Sequence, residues 1–457
     1  MASSRFPSRR MRTGRMRALA VLGSALLAVT LATGSASATI VDRGTSGDHY
    51  EFTSWDCGYP MQVEGDYSNE FQVRADSKNA DIVYVTTRNA FKETWTAGDG
   101  RWFTLSGHNL YKDIKATRVS GTLYEFKFHL PGVPFTVTDS SGKKVSNDRG
   151  LLSDEYTFDF GDGSGTDLAF RLSGPHPSFG VDTCLIVAPL TGGDSARYLT
   201  PRPVGTTDFA EGFDEYLPPS YSATGDPSPL LLFFHGAGES GDGSADALSH
   251  LVNAGIPKYI NVGGWPTDRP FVVLAPQHFD PGTFDWSTCD GVEWGGSCGM
   301  QLQHDLGNDS TSFCTTPQEV DAFIDYAVAH YNVDPTRVYL TGLSCGAFGV
   351  WEYLAAHGAD NKVAAAVPIA GDGRPGSSDD YCKLDTTPIW AFHGLLDDVV
   401  NPLGSIEPMN ALQGCSGVSA DRAMLTTFPD RDHNSWDPAY GGAAGSIYDW
   451  MLGFTTP

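Results

Sequence analysis

Five residues, Gly342-Leu343-Ser344-Cys345-Gly346, have the types and spacing to hold an activated serine. They separate a β-rich run, Arg337-Val338-Tyr339-Leu340-Thr341, from a helix-like stretch that begins at Ala347. A serine between two glycines at a strand-to-helix turn is the sequence form of a nucleophile elbow. The turn is too tight for flanking Cβ atoms, and it leaves the serine Oγ exposed at a strand end. Short Gly/Ser patterns also make ordinary turns, so the pattern gains meaning only with partners. A serine hydroxyl is a poor nucleophile until a base takes its proton. That base is commonly a histidine held in one tautomer by a carboxylate.

Candidate partners lie on both sides. Downstream, the strand-like run Pro388-Ile389-Trp390-Ala391-Phe392 leads into His393-Gly394-Leu395-Leu396-Asp397-Asp398. Asp397 falls in the loop just past the strand end and is preferred as the acid, with Asp398 its competitor. A further run, 424–428, leads into Pro429-Asp430-Arg431-Asp432-His433-Asn434-Ser435-Trp436. His433 is the only histidine after His393, and the order nucleophile, acid, histidine leaves it as the base. Upstream, the apolar run 230–234 opens into His235-Gly236-Ala237-Gly238-Glu239. Such a Gly-rich turn lets backbone N–H groups approach a developing oxyanion. The expected donors are the N–H groups of Ala237 and Cys345; a plain strand-to-loop turn is the alternative. His235 and His393 read as structural. Trp286 and Trp436 are candidates to line a substrate pocket, with core packing the competing role.

The elements that must position these residues alternate between strand and helix. Runs 230–234 and 271–275 are continuously apolar, as strands buried on both faces must be. Residues 317–331 carry a helical apolar stripe with Pro317 near its start. Strands are expected at 363–369, 388–392 and 424–428. This is α/β grammar: a doubly wound, mostly parallel sheet.

The motifs His-Gly-Ala-Gly-Glu at 235–239, Ala275-Pro276-Gln277, Gly-Leu-Ser-x-Gly at 342–346, His-Gly-x-x-Asp at 393–397 and His433-Asn434-Ser435-Trp436 with Tyr440 occur in this order. As a set they resemble the secreted esterase branch of the α/β-hydrolase superfamily, which includes feruloyl esterases, polyhydroxyalkanoate depolymerases and "predicted peptidases". The resemblance covers about residues 208–454. It implies Ser344 as nucleophile, Asp397 as orienting acid, His433 as base, ester hydrolysis through an acyl-enzyme, and no metal or organic cofactor. The chain departs from the branch pattern at Cys345 and Ala347. A peptidase with the same triad is the nearest alternative, since the pocket chooses the leaving group. A polymer-binding protein with an inert hydrolase domain is the other.

The preceding part has a different grammar. Runs such as 81–86, 123–128 and 156–160 are rich in β-branched and aromatic residues and are separated by Gly/Asp/Ser clusters, which predicts an all-β, sandwich-like N-terminal domain. Its aromatics, Trp55, Tyr59, Trp95, Trp102, Phe103 and Tyr111 among them, fit a core and also fit stacking on a polymer or cell-wall component. The segment Asp159 to Asp167 is acidic and Gly-rich, but its spacing reads as a hairpin rather than a calcium loop.

The first residues read as an export signal: Arg5, Arg9, Arg10, Arg12, Arg15 and Arg17, then an apolar stretch 18–32, then Ala36-Ser37-Ala38. A membrane anchor is the lesser alternative, because the stretch is short. The expected organisation is signal peptide 1–38, β-rich domain 39–190, linker 191–207 and catalytic domain 208–457 of a secreted protein. The formal net charge is −25 over 457 residues, and loss of the six signal arginines makes it more negative. Such a field opposes nucleic acid and anionic membrane as partners, and the substrate class that the resemblance implies is a small-molecule or polymeric ester. The eight cysteines follow the signal, and in an exported chain an even count favours disulfides. Cys57–Cys184, Cys289–Cys298 and Cys382–Cys415 are the expected pairs, with Cys345 buried or bonded.

Overall fold

The computed structural model describes residues 40–75, 83–159, 165–191, 199–279, 314–374, 381–384 and 386–456. The expected signal peptide, Trp286, Cys289 and Cys298 lie outside these residues. The chain divides into two compact units. One holds residues up to Ser54 and Met61–Gly192; the other holds Trp55–Pro60 and Gly193–Pro457.

The first unit is a seven-stranded antiparallel sheet in strict chain order, β1 (Ile40–Ser54), β2 (Met61–Ala75), β3 (Val83–Ala97), β4 (Trp102–Ser120), β5 (Leu123–Asp139), β6 (Lys144–Asp159) and β7 (Gly165–Ser173). The sandwich-like expectation takes the form of one hydrogen-bonded meander of unusually long strands. Along β2, positions 61 to 66 alternate buried and exposed, so one face carries Met61 and Val63 inward while Gln62 and Glu64 meet solvent. Aromatics of that face pack in sequence, with Phe52 against Trp95 and Trp95 against Phe103 at ring separations of 6.2 and 5.9 Å. β6 and β7 pair through Phe158 and Gly165, which is the hairpin expected of the acidic segment. Helix α1 (Thr183–Thr191) ends the unit.

The second unit is built on an eight-stranded sheet in the order β15-β14-β13-β12-β10-β11-β9-β8. Its strands are β8 (Thr200–Arg202), β9 (Phe213–Tyr216), β10 (Ser228–Phe234), β11 (Val272–Pro276), β12 (Val333–Leu343), β13 (Ala365–Ile369), β14 (Ile389–Gly394) and β15 (Ala423–Phe428). From β11 to β15 the pairing is parallel; β9 and β8 run antiparallel at the edge. This is the α/β-hydrolase sheet. β10 is buried at all seven positions, which explains its unbroken apolar sequence. The described helices are α2 (Ala245–Leu248), α3 (Gly255–Asn261), α4 (Pro317–His330), α5 (Cys345–His357), α6 (Leu403–Gln413), α7 (Trp436–Gly441) and α8 (Ile447–Leu452). α4 starts where the sequence directs. Pro317 occupies the first turn, while Thr316 and Glu319 form a reciprocal capping box. None of the described helices is long and apolar enough to cross a membrane.

Two boundaries differ from expectation. The stretch read as linker, 191–207, contributes the edge strand β8, because its Thr-Pro-Arg segment pairs with Phe213–Glu215. Residues 55–60, read as part of the β-rich domain, pack with the second unit. There the Cys57 carbonyl fills space that any side chain at Gly264 would need, and the Trp55 ring does the same at Gly441.

Candidate active site

Ser344 stands between β12 and α5 with φ 51° and ψ −119°, a region that L-residues rarely enter. Its surroundings enforce this. The Ser344 N–H donates to Ile369 O on β13 at 2.9 Å, and its carbonyl accepts from Ala347 and Phe348 as α5 begins. A Cβ on Gly342 would lie 2.5 Å from the Gly346 carbonyl, and one on Gly346 would lie 2.1 Å from Phe234 O. Both glycines are therefore needed for β12, β10 and α5 to meet at the elbow. The departure at Ala347 is compensated at Gly371, where a Cβ would fall 2.6 Å from the Ala347 methyl. The departure at Cys345 has a partner: Cys345 is disulfide-bonded to Cys314, with the two Cα atoms 5.1 Å apart. Cys382 and Cys415 are bonded as expected, and Cys57 and Cys184 are both oxidised.

Loops at the carboxyl ends of β14 and β15 bring the other two groups to Ser344. His433 Nε2 is 3.0 Å from Ser344 Oγ, and His433 Nδ1 is 2.8 Å from Asp397 Oδ2. A carboxylate only accepts at Nδ1, so Nδ1 carries the proton and Nε2 accepts from the serine hydroxyl. Asp397 has a fully buried side chain, whereas Asp398 is exposed. The Asp397 Oδ1 accepts the N–H groups of Val399 and Val400, each at 2.9 Å. Burial works against its charge, but hydrogen bonds from His393 and His433 with that of Val400 together hold it well below the usual carboxylate range.

His393 does more than pack a loop. It is fully buried, and its Nε2 lies 3.2 Å from Asp397 Oδ2 and 3.1 Å from Val400 O, while Nδ1 lies 2.8 Å from Ser405 Oγ. The carboxylate is thus gripped from both sides by imidazoles. The sequence signal was its place near the end of β14, four residues before Asp397 in the tight turn that follows.

The His235–Glu239 turn passes beside the serine: a Cβ on Gly236 would lie 2.8 Å from Leu343 Cδ1 and 3.7 Å from Ser344 Cβ. Ala237 opens a single 3₁₀ turn and Cys345 opens α5. An N–H in that position has no acceptor within its own helix. His235 holds the turn in shape. Its Nδ1–H donates to Gly236 O at 2.7 Å and its Nε2 accepts the His278 N–H at 2.9 Å. Burial pushes its pKa down to about 4, so it stays neutral. His278 in turn pairs with Glu319 at 3.0 Å, linking the turn to the cap of α4.

Behind His433, the Trp436 ring stands edge-on at 5.2 Å and 90°. The same loop is tied down by Asp437, which accepts from Asn434 Nδ2 at 2.8 Å and from the Tyr259 hydroxyl of α3. Tyr440 on α7 meets Thr341 of β12 at 2.9 Å. Neither Asp437 nor Tyr259 was singled out from sequence, because their pairing crosses 178 residues. Among the described residues, one group has the spacing of metal ligands, the exposed His49, Glu51 and Glu64 on β1 and β2 of the other unit.

No family model matches the chain. It is 28% identical to feruloyl esterase B of Neurospora crassa over 223 residues, covering 42% of this chain and 67% of that protein. It is 39% identical to a bifunctional acetylxylan esterase/xylanase of Neocallimastix patriciarum over 84 residues, covering 18% of this chain and only 12% of the relative's length. Among solved structures, a thermostable esterase aligns at a TM-score of 0.41 and 19% identity over 77% of this chain and 90% of that one. The esterase PE8 aligns at 0.32 and 19% identity over 50% and 95%.

Proposed function

From an α/β-hydrolase fold that resembles the esterase branch of its superfamily, we propose a secreted serine esterase that cleaves carboxylic esters through an acyl-enzyme. The observation that carries this reading is the line Ser344–His433–Asp397, with hydrogen bonds of 3.0 and 2.8 Å on three different loops. Ser344 Oγ attacks the ester carbonyl carbon as its proton passes to His433 Nε2. The tetrahedral oxyanion is met by the N–H groups of Ala237 and Cys345. Collapse breaks the bond to the alcohol oxygen, which takes the proton from His433 and leaves. Water then gives a proton to His433 and attacks the acyl-enzyme, releasing the acid and restoring Ser344. Asp397 stays ionised throughout, fixing the imidazole tautomer and offsetting the imidazolium charge.

The acetylxylan esterase among the relatives favours an ester whose alcohol belongs to a sugar. Trp436, beside His433, is the aromatic wall against which such an ester rests. Disulfides at 314–345 and 382–415 favour an oxidising compartment outside the cell. The test is a panel of chromogenic acyl esters, peptide anilides, feruloylated and acetylated xylan, and a polyester film. Release of acid from the esters is expected. Cleavage of anilides with esters left intact would overturn the reading and favour a peptidase.

A further inference from the structure

The meander carries a row of three asparagines that no feature of the hydrolase unit requires. Asn69 of β2 pairs in register with Asn89 of β3, and Asn89 with Asn109 of β4. Ser46 precedes the row on β1 and Gly132 follows it on β5. Residues in direct register share a face, so the amides form a ladder about 10 Å long across neighbouring strands. Asn89 Nδ2 donates to Asn109 Oδ1 at 2.9 Å. Asn69 Oδ1, however, is buried with no donor among the described residues. A buried acceptor without a donor is costly, and such groups are rare in native proteins.

A cavity of about 630 Å³ lies at this row. On the amide face its lining includes Ser46, Asn69, Asn89 and Asn109, with mostly apolar surface around them. Its lining charges largely cancel, since Arg88 and Glu70 pair at 3.1 Å. Two residues along each strand from the amides, on the same face, stand Tyr67 and Phe91 toward one end and Phe71 and Tyr111 toward the other.

We propose that this amide row binds a neutral, hydroxyl-rich glycan. A primary amide offers a donor and an acceptor side by side, and adjacent sugar hydroxyls answer both. A sugar O–H supplies the donor that Asn69 Oδ1 lacks. A polyester offers only acceptors and leaves that oxygen unsatisfied. A polyanion is opposed by the negative charge of the whole chain. A chain of sugars that runs past the cavity along the strands reaches the flanking rings, which suit stacking on the apolar faces of pyranoses. The site is independent of Ser344, so it stands or falls apart from the esterase reading.

The test uses the full-length chain carrying Ser344→Ala, so that no ester is consumed. Retardation is measured in gels containing neutral arabinoxylan, soluble cellulose derivative or no polymer, with depletion onto a polyhydroxybutyrate film as a further arm. Retardation by a neutral glycan is expected. Adding Asn89→Ala and Asn109→Ala should weaken it roughly ten-fold or more, with an unchanged circular dichroism spectrum. Should the double alanine variant misfold, Asn89→Gln keeps an amide but breaks the register, and the same loss is expected. No retardation by any neutral glycan, equal retardation of folded amide variants, or depletion onto the polyester alone would overturn the proposal.

Discussion

The two sheets present chemistry in different places. In the α/β unit the central strands are sealed on both faces, as in β10, β11, β13 and β14, which are buried at every position. Nothing on those faces can meet a ligand, so reactive groups are displaced to the loops at the strands' carboxyl ends, where Ser344, Asp397 and His433 follow β12, β14 and β15. In the meander, strands of up to 19 residues leave their faces partly open, and polar groups gather in the middle of strands, by register. One sheet holds function in loop motifs; the other can hold it only in cross-strand rows.

Removing the loop chemistry is the strongest way to break that contrast. Ser344→Ala should lower kcat on a soluble aryl ester by about 10⁴-fold or more, and Asp397→Asn by about 10⁴-fold, because the latter leaves His433 in the wrong tautomer. Glycan retardation by the meander should persist in both. Wild-type turnover in Ser344→Ala would place the chemistry elsewhere and end the comparison.

His393→Asn sharpens the contrast from within the hydrolase unit. Asp397 keeps its two backbone donors but loses one imidazole. A hydrogen bond to a charged group supports a fall in kcat of roughly 10- to 100-fold, with KM little changed, since the residue touches no substrate. An equal rise in KM would instead indicate a collapsed pocket. The elbow disulfide ranks next. Loss of either bond, by Cys314→Ser with Cys345→Ser or by Cys382→Ser with Cys415→Ser, should cost about 2–4 kcal/mol of stability in urea unfolding. Only the first pair should also lower kcat, because Cys345 supplies an N–H beside the proposed nucleophile. Equal kcat losses in the two pairs would deny the elbow bond any special part.

What could be read from sequence follows the same division. The proposed triad, whose members the structure brings into hydrogen-bond contact, could be read because each sits in a short motif directly after an apolar run, and chain order did the rest. The sealed strands were legible from their unbroken apolar residues. The boundary at β8 was missed because Thr200-Pro201-Arg202 has the composition of a linker and becomes a strand only by pairing with β9. Asp437 and Tyr259 were missed because their contact depends on the docking of α3 against α7. The amide row was invisible for a related reason: Asn69, Asn89 and Asn109 are unremarkable singly, and only antiparallel register sets them side by side.

The smallest expected effect concerns pH, and it too separates the sheets. In the α/β unit, burial pushes Asp214, Glu239 and Glu352 up to about 7, and burial with the neighbouring Glu319 pushes Glu211 up to about 8. In an unfolded chain such groups titrate near about 4. The native state therefore binds more protons in between, and stability that is full below pH ~4 is lost as pH rises toward 8. Asp397, held low, has the opposite sign but titrates beneath this window, and His235, held down to about 4 by burial, opposes the four carboxyls only up to pH ~6.5. In the meander the sign is reversed for Asp99, Asp139 and Glu155, lowered by the Arg101 side chain, the Ser141 hydroxyl and Lys127 respectively; their contribution is present above pH ~4 and lost only in acid. The exceptions there are Asp113, raised by its burial, and His49, raised chiefly by its hydrogen bond to Asp66, whose contribution is lost as pH rises past its titration. Calorimetry between pH 5 and pH 8 should thus show the hydrolase unit softening more than the meander, and Glu352→Gln should flatten the slope. A Glu155→Gln variant should leave the behaviour between pH 5 and pH 8 unchanged, because its carboxyl is ionised throughout. If Glu155→Gln altered that slope as much as Glu352→Gln, buried carboxyls would not be what distinguishes the two sheets.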